Sequence, residues 1–317
     1  EEWNFINIKK TLKKLNVIQN SYYNENSLYE SGKIDKLIAD LKSLDLIYEK
    51  DGALWLKLTA LGLEDDRVAV KSTGEPTYRL PDIAYHREKF LRGYDEIVDI
   101  FGADHIATVP DVIATVKALG FDTNNIKVVI HQFVTLTENG QQVKMSKRSG
   151  KSYTLDELID EVGAEVVRFF LLMRGVNTHL EFDLSLAKEQ SDKNPVYYLQ
   201  YAHARICSIL EKIKEQNITI KTEPDLNSLQ EKIELDLIKK LADFPTAIFD
   251  ASKKSEPHIL SDYLRDLASI FHNFYHQCRI IGEQEEILSA RLLLANSTKI
   301  VLKNGLTILG ISAPERM

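Results

Sequence analysis

Basic and hydroxyl side chains are concentrated in residues 141–151, which read QQVKMSKRSGK. Four cations and two serines alternate within eight residues of this stretch: Lys144, Ser146, Lys147, Arg148, Ser149 and Lys151. Ammonium groups, hydroxyls and backbone N–H groups suit the negative charge that spreads during phosphoryl or nucleotidyl transfer. The glycine spacing of a Walker loop is absent. The composition therefore fits either a different phosphate-holding loop or a solvated basic loop.

Polar side chains also follow two predicted strands. Tyr78 ends one strand and Asp82 opens the next helix, while Asp104 and His105 follow the strand EIVDIFG. Ligands of open α/β sheets bind beyond the carboxyl ends of the strands. A phenol and a carboxylate there could hold a cationic or polar ligand. Asp82 could equally be an ordinary helix cap, and His105 a structural histidine.

The elements that would position these groups alternate between strand and helix from Thr77 to about Gly163. Apolar runs predict strands over 77–80, 96–102 and 126–136, and amphipathic stretches predict helices over 81–94 and 111–121. Such alternation is typical of a parallel doubly wound sheet. Only about three such strands are present, so the predicted sheet is half-complete.

The flanking regions have different patterns. Helical periodicity covers residues 2–19 and 31–46, and Asp51-Gly52 predicts a hairpin. Beyond residue 190 the pattern predicts a helical bundle with long amphipathic helices over 193–216, 226–251, 257–281 and 286–303. The predicted fold class is thus α/β followed by all-α.

The composition is that of a globular protein, with 44% hydrophobic and 27% charged residues. No apolar run is long enough to span a membrane. Cys207 and Cys278 lack metal-ligand spacing and are expected to be reduced core residues, so no protein-bound metal is expected. The net charge of −7 neither supports nor excludes an RNA partner, because binding depends on where cations cluster.

Five motifs together resemble bacterial arginyl-tRNA synthetases, from about residue 2 to Met317. KMSKRSG matches four of the five positions of the class I Lys-Met-Ser-Lys-Ser signature, with Arg148 as the departure. The flanking stretches that carry the resemblance are PTYRLPDIAYH, GADHI, QQVKMSKRSGKSYTLDELIDEVG, NPVYYLQYAHARI and the terminal SAPERM. Each motif is moderately specific alone, and their order makes the set very specific.

The resemblance implies roles in forming arginyl-adenylate from arginine and ATP, with Mg²⁺ carried by the nucleotide. Lys144 and Lys147 would stabilise the triphosphate as pyrophosphate leaves, with Ser146 as a supporting donor. Met145, in the same signature, and Gln132, beside the adenine, complete the implied ATP contacts.

The arginine site implied by the resemblance consists of Tyr78, Asp82 and Glu25, with His105 or Asp104 near the amino acid. A planar cation with five N–H donors calls for carboxylate acceptors, which agrees with these residue types.

The helical region resembles the anticodon-binding domain of this family. Tyr275 and His276 are expected to stack on an unpaired base, and Arg316 and Met317 to lie near the anticodon loop. Phe271 and Phe274 are expected in the core. Three further aromatics could serve either core or RNA: Tyr197, Tyr198 and Tyr201.

The resemblance divides the chain into an insertion of the catalytic domain (1–72), the second half of a Rossmann-type catalytic domain (73–190) and an anticodon-binding domain (191–317). The expected partners are arginine tRNA, L-arginine and ATP. A cytoplasmic monomer without membrane attachment is expected.

The His-x-Gly-His motif of class I synthetases is absent from the 317 residues. The chain is therefore expected to be a C-terminal portion that makes no arginyl-adenylate by itself. One alternative is a non-catalytic RNA-binding module derived from a synthetase. Another is a cysteine-specific relative, but that enzyme needs zinc, and the acidic Glu25 and Asp82 favour a cationic substrate.

Overall fold

The computed structural model describes residues 2–143 and 153–317. These residues form two compact units. The smaller unit is Gln19–Phe133, and the larger unit combines Glu1–Ile18 with Val134–Met317. The three-domain division made from the sequence remains a prediction, because compactness does not by itself define functional domains.

Two of the described α-helices of the smaller unit precede its strands, and two lie between them. They are α2 (Asn26–Glu30), α3 (Lys33–Ser43), α4 (Arg79–Leu91) and α5 (Val109–Ala118), and the strands are β1 (Ile47–Lys50), β2 (Ala53–Leu56), β3 (Arg67–Val70), β4 (Ile97–Gly102) and β5 (Ile126–His131). Strands β1, β2 and β3 form an antiparallel sheet, whereas β4 and β5 form a separate parallel pair. Asp51 and Gly52 both have positive φ, which confirms the predicted hairpin turn.

The larger unit joins one short sheet to many helices. Its strands are β6 (Val134–Glu138), β7 (Gln141–Gln142) and β8 (Leu180–Asp183), and its helices are α1 (Glu2–Lys14), α6 (Leu155–Val162), α7 (Ala164–Leu172), α8 (Leu184–Lys188), α9 (Pro195–Glu215), α10 (Lys232–Ala242), α11 (Phe244–Lys254), α12 (His258–Gln277) and α13 (Glu285–Ile308). Strand β6 pairs antiparallel with β7 and parallel with β8. Among the described residues, no helix has the length and apolar character that a membrane crossing requires.

Three sequence predictions about the elements were wrong in detail. Residues 77–80 do not form a strand, because α4 already begins at Arg79, and Pro81 fits its first turn, where a missing N–H costs nothing. The apolar run 126–136 is two strands in two different sheets. The helix predicted over 226–251 is interrupted at Asp243, since Pro245 lacks the N–H needed to continue it.

The core of the larger unit is built mainly by apolar faces of its long helices. Phe271 and Phe274 are fully buried there, which confirms their predicted place. A buried ion pair joins α13 to α10: Arg291 Nε is 2.6 Å from Glu234 Oε1, and the side chain of Glu234 is fully buried. Arg291 also donates from Nη1 to the carbonyl oxygen of Arg279, at 2.6 Å, and so holds the loop after α12.

Glu234→Gln is expected to lower the free energy of unfolding by about 1–3 kcal/mol, because it removes the nearer counter-charge of the buried Arg291 guanidinium, while Glu283 stays 3.8 Å from Nη1. The measurement is urea unfolding followed by circular dichroism. Asp236→Asn is the control, since Asp236 pairs with a highly exposed Lys232 and should change stability by about 0.5 kcal/mol or less. Equal midpoints for both variants would contradict the prediction.

Candidate functional site

The carboxyl ends of β4 and β5 place several of the predicted residues along one edge. The two strands are parallel, and their last residues, Gly102 and His131, are paired. Gln132 and the turn Ala103–His105 therefore start from the same edge of the sheet. The structure thus brings the predicted adenine-side residue and His105 to the position where ligands of parallel sheets bind.

Asp82 is a half-buried carboxylate in the first turn of α4. Burial raises the pKa of Asp82, and the nearby His86, His105 and Lys89 only partly oppose that rise. Within the described residues, no hydrogen bond or ion pair satisfies its carboxylate. An acceptor of this kind is suited to a cationic ligand.

Next to Asp82 lies a network of hydrogen bonds and an ion pair that sequence reasoning missed. His86 lies with Nδ1 2.7 Å from the carbonyl oxygen of Asp82 and Nε2 2.8 Å from Oδ2 of Asp99. Lys89 forms a short ion pair with the other carboxylate oxygen of Asp99. Burial alone would raise the pKa of Asp99, but the hydrogen bonds from His86 and Lys89 outweigh it and hold that pKa below its ordinary value. An aspartate at an inward-facing position of an apolar strand was the sequence signal.

The other residues predicted to contact arginine are more open. Tyr78 lies one turn before Asp82 and is 88% exposed, and Glu25 is an exposed residue that precedes α2. No hydrogen bond or ion pair within residues 2–143 and 153–317 joins Glu25 to Asp82. His105 stacks on Phe101 with ring centroids 5.7 Å apart. Lys144, Met145, Ser146 and Lys147 lie outside the described residues.

All four residues predicted to meet the anticodon line one open cavity of about 740 Å³ in the larger unit. The cavity lies between α9, the end of α12 and the C-terminal segment. Its lining includes Tyr201, Arg205, Lys212, Tyr275, His276, Arg279, Arg316 and Met317. Basic and aromatic side chains together are typical of a surface that binds single-stranded RNA.

Arg205 is a cavity residue that sequence reasoning did not single out. Its guanidinium carbon lies 4.5 Å from the ring centroid of Tyr201 and 5.0 Å from that of Tyr275. It donates to the hydroxyl of Tyr201 at 2.6 Å, and its Nη1 is 3.3 Å from Nδ1 of His272. These contacts fix a planar cation in the cavity wall. The stretch YAHAR, with an arginine four residues after a tyrosine, was the available signal.

The environment of His272 keeps its ring neutral. Burial, and then the charge of Arg205, lower the pKa of His272 to about 4. A neutral ring can accept the Arg205 N–H, whereas an imidazolium would repel it. Tyr198 packs against His272 with centroids 4.8 Å apart and contacts the core, so Tyr201 rather than Tyr198 faces the cavity.

Comparison with known proteins assigns both parts of this architecture. The model of the class I tRNA synthetase (R) catalytic domain matches residues 4–171, and that of the DALR anticodon binding domain matches residues 199–317. The chain is 52% identical to an arginine–tRNA ligase of Salinibacter ruber and 51% identical to one of Desulfotalea psychrophila. In each case 99% of the chain is aligned, and it spans 56% and 57% of the lengths of those relatives.

Solved structures agree with these relatives. A Campylobacter jejuni protein assigned as an arginyl-tRNA synthetase superposes with a TM-score of 0.88 at 32% identity, over 100% of this chain and 68% of that one. The Thermus thermophilus arginyl-tRNA synthetase superposes with a TM-score of 0.79 at 25% identity, over 97% of this chain and 62% of that one.

The fold and both domain matches are those of a class I aminoacyl-tRNA synthetase, with an α/β catalytic part followed by a helical anticodon-binding domain. The chain belongs to the arginyl-tRNA synthetase family.

Asp82→Asn is expected to stabilise the smaller unit at pH 7. Because the folded-state pKa of Asp82 lies above its ordinary value of 3.8, its contribution to stability is greatest below that pH and falls as pH rises through the folded-state pKa. A neutral amide avoids this loss. The difference in the free energy of unfolding between the variant and the wild type should therefore shrink on acidification. Urea unfolding of both proteins at several pH values measures it.

Asp95→Asn, in an exposed loop of the same unit, is the matched control and should change little. A clear loss of stability in Asp82→Asn at pH 7 would mean that the carboxylate has a structural partner.

Proposed function

We propose that this chain carries the arginine-binding and tRNA-reading parts of an enzyme that joins arginine to its cognate tRNA. The reaction passes through arginyl-adenylate and consumes ATP with its Mg²⁺. The observation that carries the proposal is the Asp82 carboxylate. It is half-buried, its burial raises its pKa, and it has no ion-pair partner among the described residues. The relatives that share 51–52% of their aligned residues with this chain are named arginine–tRNA ligases.

In this proposal the carboxylate of Asp82 accepts N–H groups of the substrate guanidinium, and Glu25 supplies a second acceptor. Tyr78 and His105 line the amino acid, and Gln132 lines the adenine. Lys144 and Lys147, with Ser146 and Met145 beside them, stabilise the triphosphate while pyrophosphate leaves. The ammonium groups act on charge that grows in the transition state, so they accelerate the chemical step rather than substrate binding alone.

The RNA side of the proposal rests on the cavity of the larger unit. Tyr275 and His276 offer exposed rings at its wall, and Arg205 offers a fixed guanidinium that can stack and donate at once. Arg316 and Met317 close the same wall. We propose arginine tRNA as the macromolecular partner of a protein that acts as a cytoplasmic monomer.

Binding to arginine tRNA should be weaker when the middle anticodon base is changed. Arg205→Lys keeps the charge but loses the planar stack and the fork of donors, so its affinity for the native tRNA should fall about tenfold. A gel shift with both tRNAs measures these effects. Arg265→Lys, on α12 but away from the cavity, is the matched control. Equal binding of both tRNAs by the wild-type chain would remove the support for anticodon reading.

A non-catalytic RNA-binding module is the second candidate, favoured by the absence of a His-x-Gly-His motif from the 317 residues. Both candidates predict that these residues alone make no arginyl-adenylate, because one side of the ATP site is not supplied. ATP–pyrophosphate exchange with arginine and tRNA present should therefore stay at background. Exchange above background would overturn this prediction and exclude the module.

Addition of a segment that carries the His-x-Gly-His motif distinguishes the two candidates. Exchange that appears in its presence, and is lost in Asp82→Asn, supports the ligase. Continued absence of exchange with tRNA binding intact supports the module.

A further inference from the structure

The direction of the C-terminal segment, residues 311–317, is set where α13 ends. Gly310 has a φ of +73°, and its N–H donates to the carbonyl oxygen of Thr307 while that of Ile311 donates to Leu306. This pair of bonds is a Schellman motif, which turns the chain back along the helix end. Ile311 is buried in the core, and from Ser312 onwards the chain has no helix or strand and is partly or fully exposed.

Ser312 is held by two residues from helices distant in sequence. Its N–H donates to Oε1 of Glu165 at 2.7 Å, and its hydroxyl donates to Oε2 at 2.9 Å. Gln200 donates from Nε2 to the same Oε2, at 2.9 Å, and lies 3.2 Å from the Ser312 carbonyl oxygen. Both oxygens of the Glu165 carboxylate are therefore used on Ser312.

Pro314 and Arg316 are held by the same face of α9. His203 donates from Nδ1 to the carbonyl oxygen of Pro314 at 2.8 Å, and Glu211 pairs with the guanidinium of Arg316. Burial lowers the pKa of His203, so the ring is neutral and its one N–H serves this bond.

The contacts between α9 and the C-terminal segment are regularly spaced. Gln200, His203 and Glu211 follow helical spacing along one stripe of α9. The residues that they hold are 312, 314 and 316, every second residue of the segment. The segment is thus fastened at every second residue until it reaches the cavity, where Arg316 and Met317 form part of the wall.

We propose that Glu165 and His203 are positioning residues for RNA recognition, which hold the C-terminal segment so that Arg316 and Met317 meet the anticodon. This inference rests on the proposed function. Neither residue lines the cavity, so neither is expected to touch RNA. A segment already held in place loses less conformational freedom when RNA binds, and affinity gains from that difference.

The affinity of the 317-residue chain for arginine tRNA tests the role of His203. An asparagine amide branches at the same carbon as Nδ1 and can reach the Pro314 carbonyl, whereas a glutamine amide extends toward the position of Nε2. His203→Gln should weaken binding about tenfold, and His203→Asn should restore most of it. Equal losses in both variants would indicate a packing role and overturn the assignment.

The role of Glu165 has a charge-matched control. Glu165→Ala should weaken tRNA binding about tenfold. Glu161→Ala removes the same charge from the preceding helix, where Glu161 pairs with Lys188, and should leave binding unchanged. In a chain without Arg316 and Met317, Glu165→Ala should cost little further affinity, because its effect acts through those residues. Additive losses would contradict positioning.

A measurement without RNA separates this inference from the proposed function. The methyl NMR signal of Met317 in the free chain should narrow and shift toward its random-coil position in Glu165→Ala, but not in Glu161→Ala. An unchanged signal would overturn the inference. If the signal moves but the wild-type chain does not distinguish the two tRNAs, anticodon reading fails and the RNA role of these residues fails with it. If the wild type distinguishes them and Glu165→Ala binds equally well, only the positioning inference fails.

Discussion

The larger unit depends on the hydrogen bonds that the guanidinium of Arg168 donates. This group donates from Nε to the carbonyl oxygen of Leu309 at 2.6 Å and from Nη1 to that of Leu15 at 2.8 Å. These carbonyls end α13 and α1, where a helix has unsatisfied acceptors and negative partial charge. One side chain of α7 thereby joins helices near both ends of the chain. A Cβ at Gly310 would lie 2.5 Å from the Arg168 Nε, so this contact also requires the glycine that turns the C-terminal segment.

The smaller unit shows a different relation between charge and burial. Asp99 is buried but keeps its charge, because His86 and Lys89 donate to it. Asp82, linked to the same histidine through its backbone, has no such partner among the described residues. A half-buried carboxylate is costly for the fold, yet the same low polarity strengthens its attraction for an incoming cation. Under the proposed function, stability and affinity for a guanidinium are therefore opposed at Asp82.

Local clustering, and not the net charge of −7, sets the charge of the cavity in the larger unit. Arg205, Lys212, Arg279 and Arg316 all line the cavity beside Tyr201 and Tyr275, with Glu211 the acidic side chain in its lining. In salt, the attraction of a cation for a phosphate and the stacking of a ring on a base act only over short distances. Cations elsewhere on the protein therefore contribute little to binding at the cavity. The buried pair of Glu234 and Arg291 supports one wall through the Arg279 carbonyl oxygen. A site with many cations is thus built on an acidic protein.

The sequence by itself determined the hairpin at Asp51-Gly52, strand β4, helices α9, α12 and α13 and the core places of Phe271 and Phe274, because each depends on local periodicity or turn chemistry. It also determined the family, through motifs in a fixed order. Only the tertiary structure decided that the run 126–136 divides between two sheets, since periodicity does not identify a strand's partner. Only the structure shows that His86 and Asp99 lie next to Asp82. Only the structure shows that Arg205 stacks on Tyr201 and Tyr275, and that Ser312 forms hydrogen bonds with Glu165. These contacts join residues far apart in the chain, and a local pattern holds no information about which distant residue will lie within hydrogen-bonding distance.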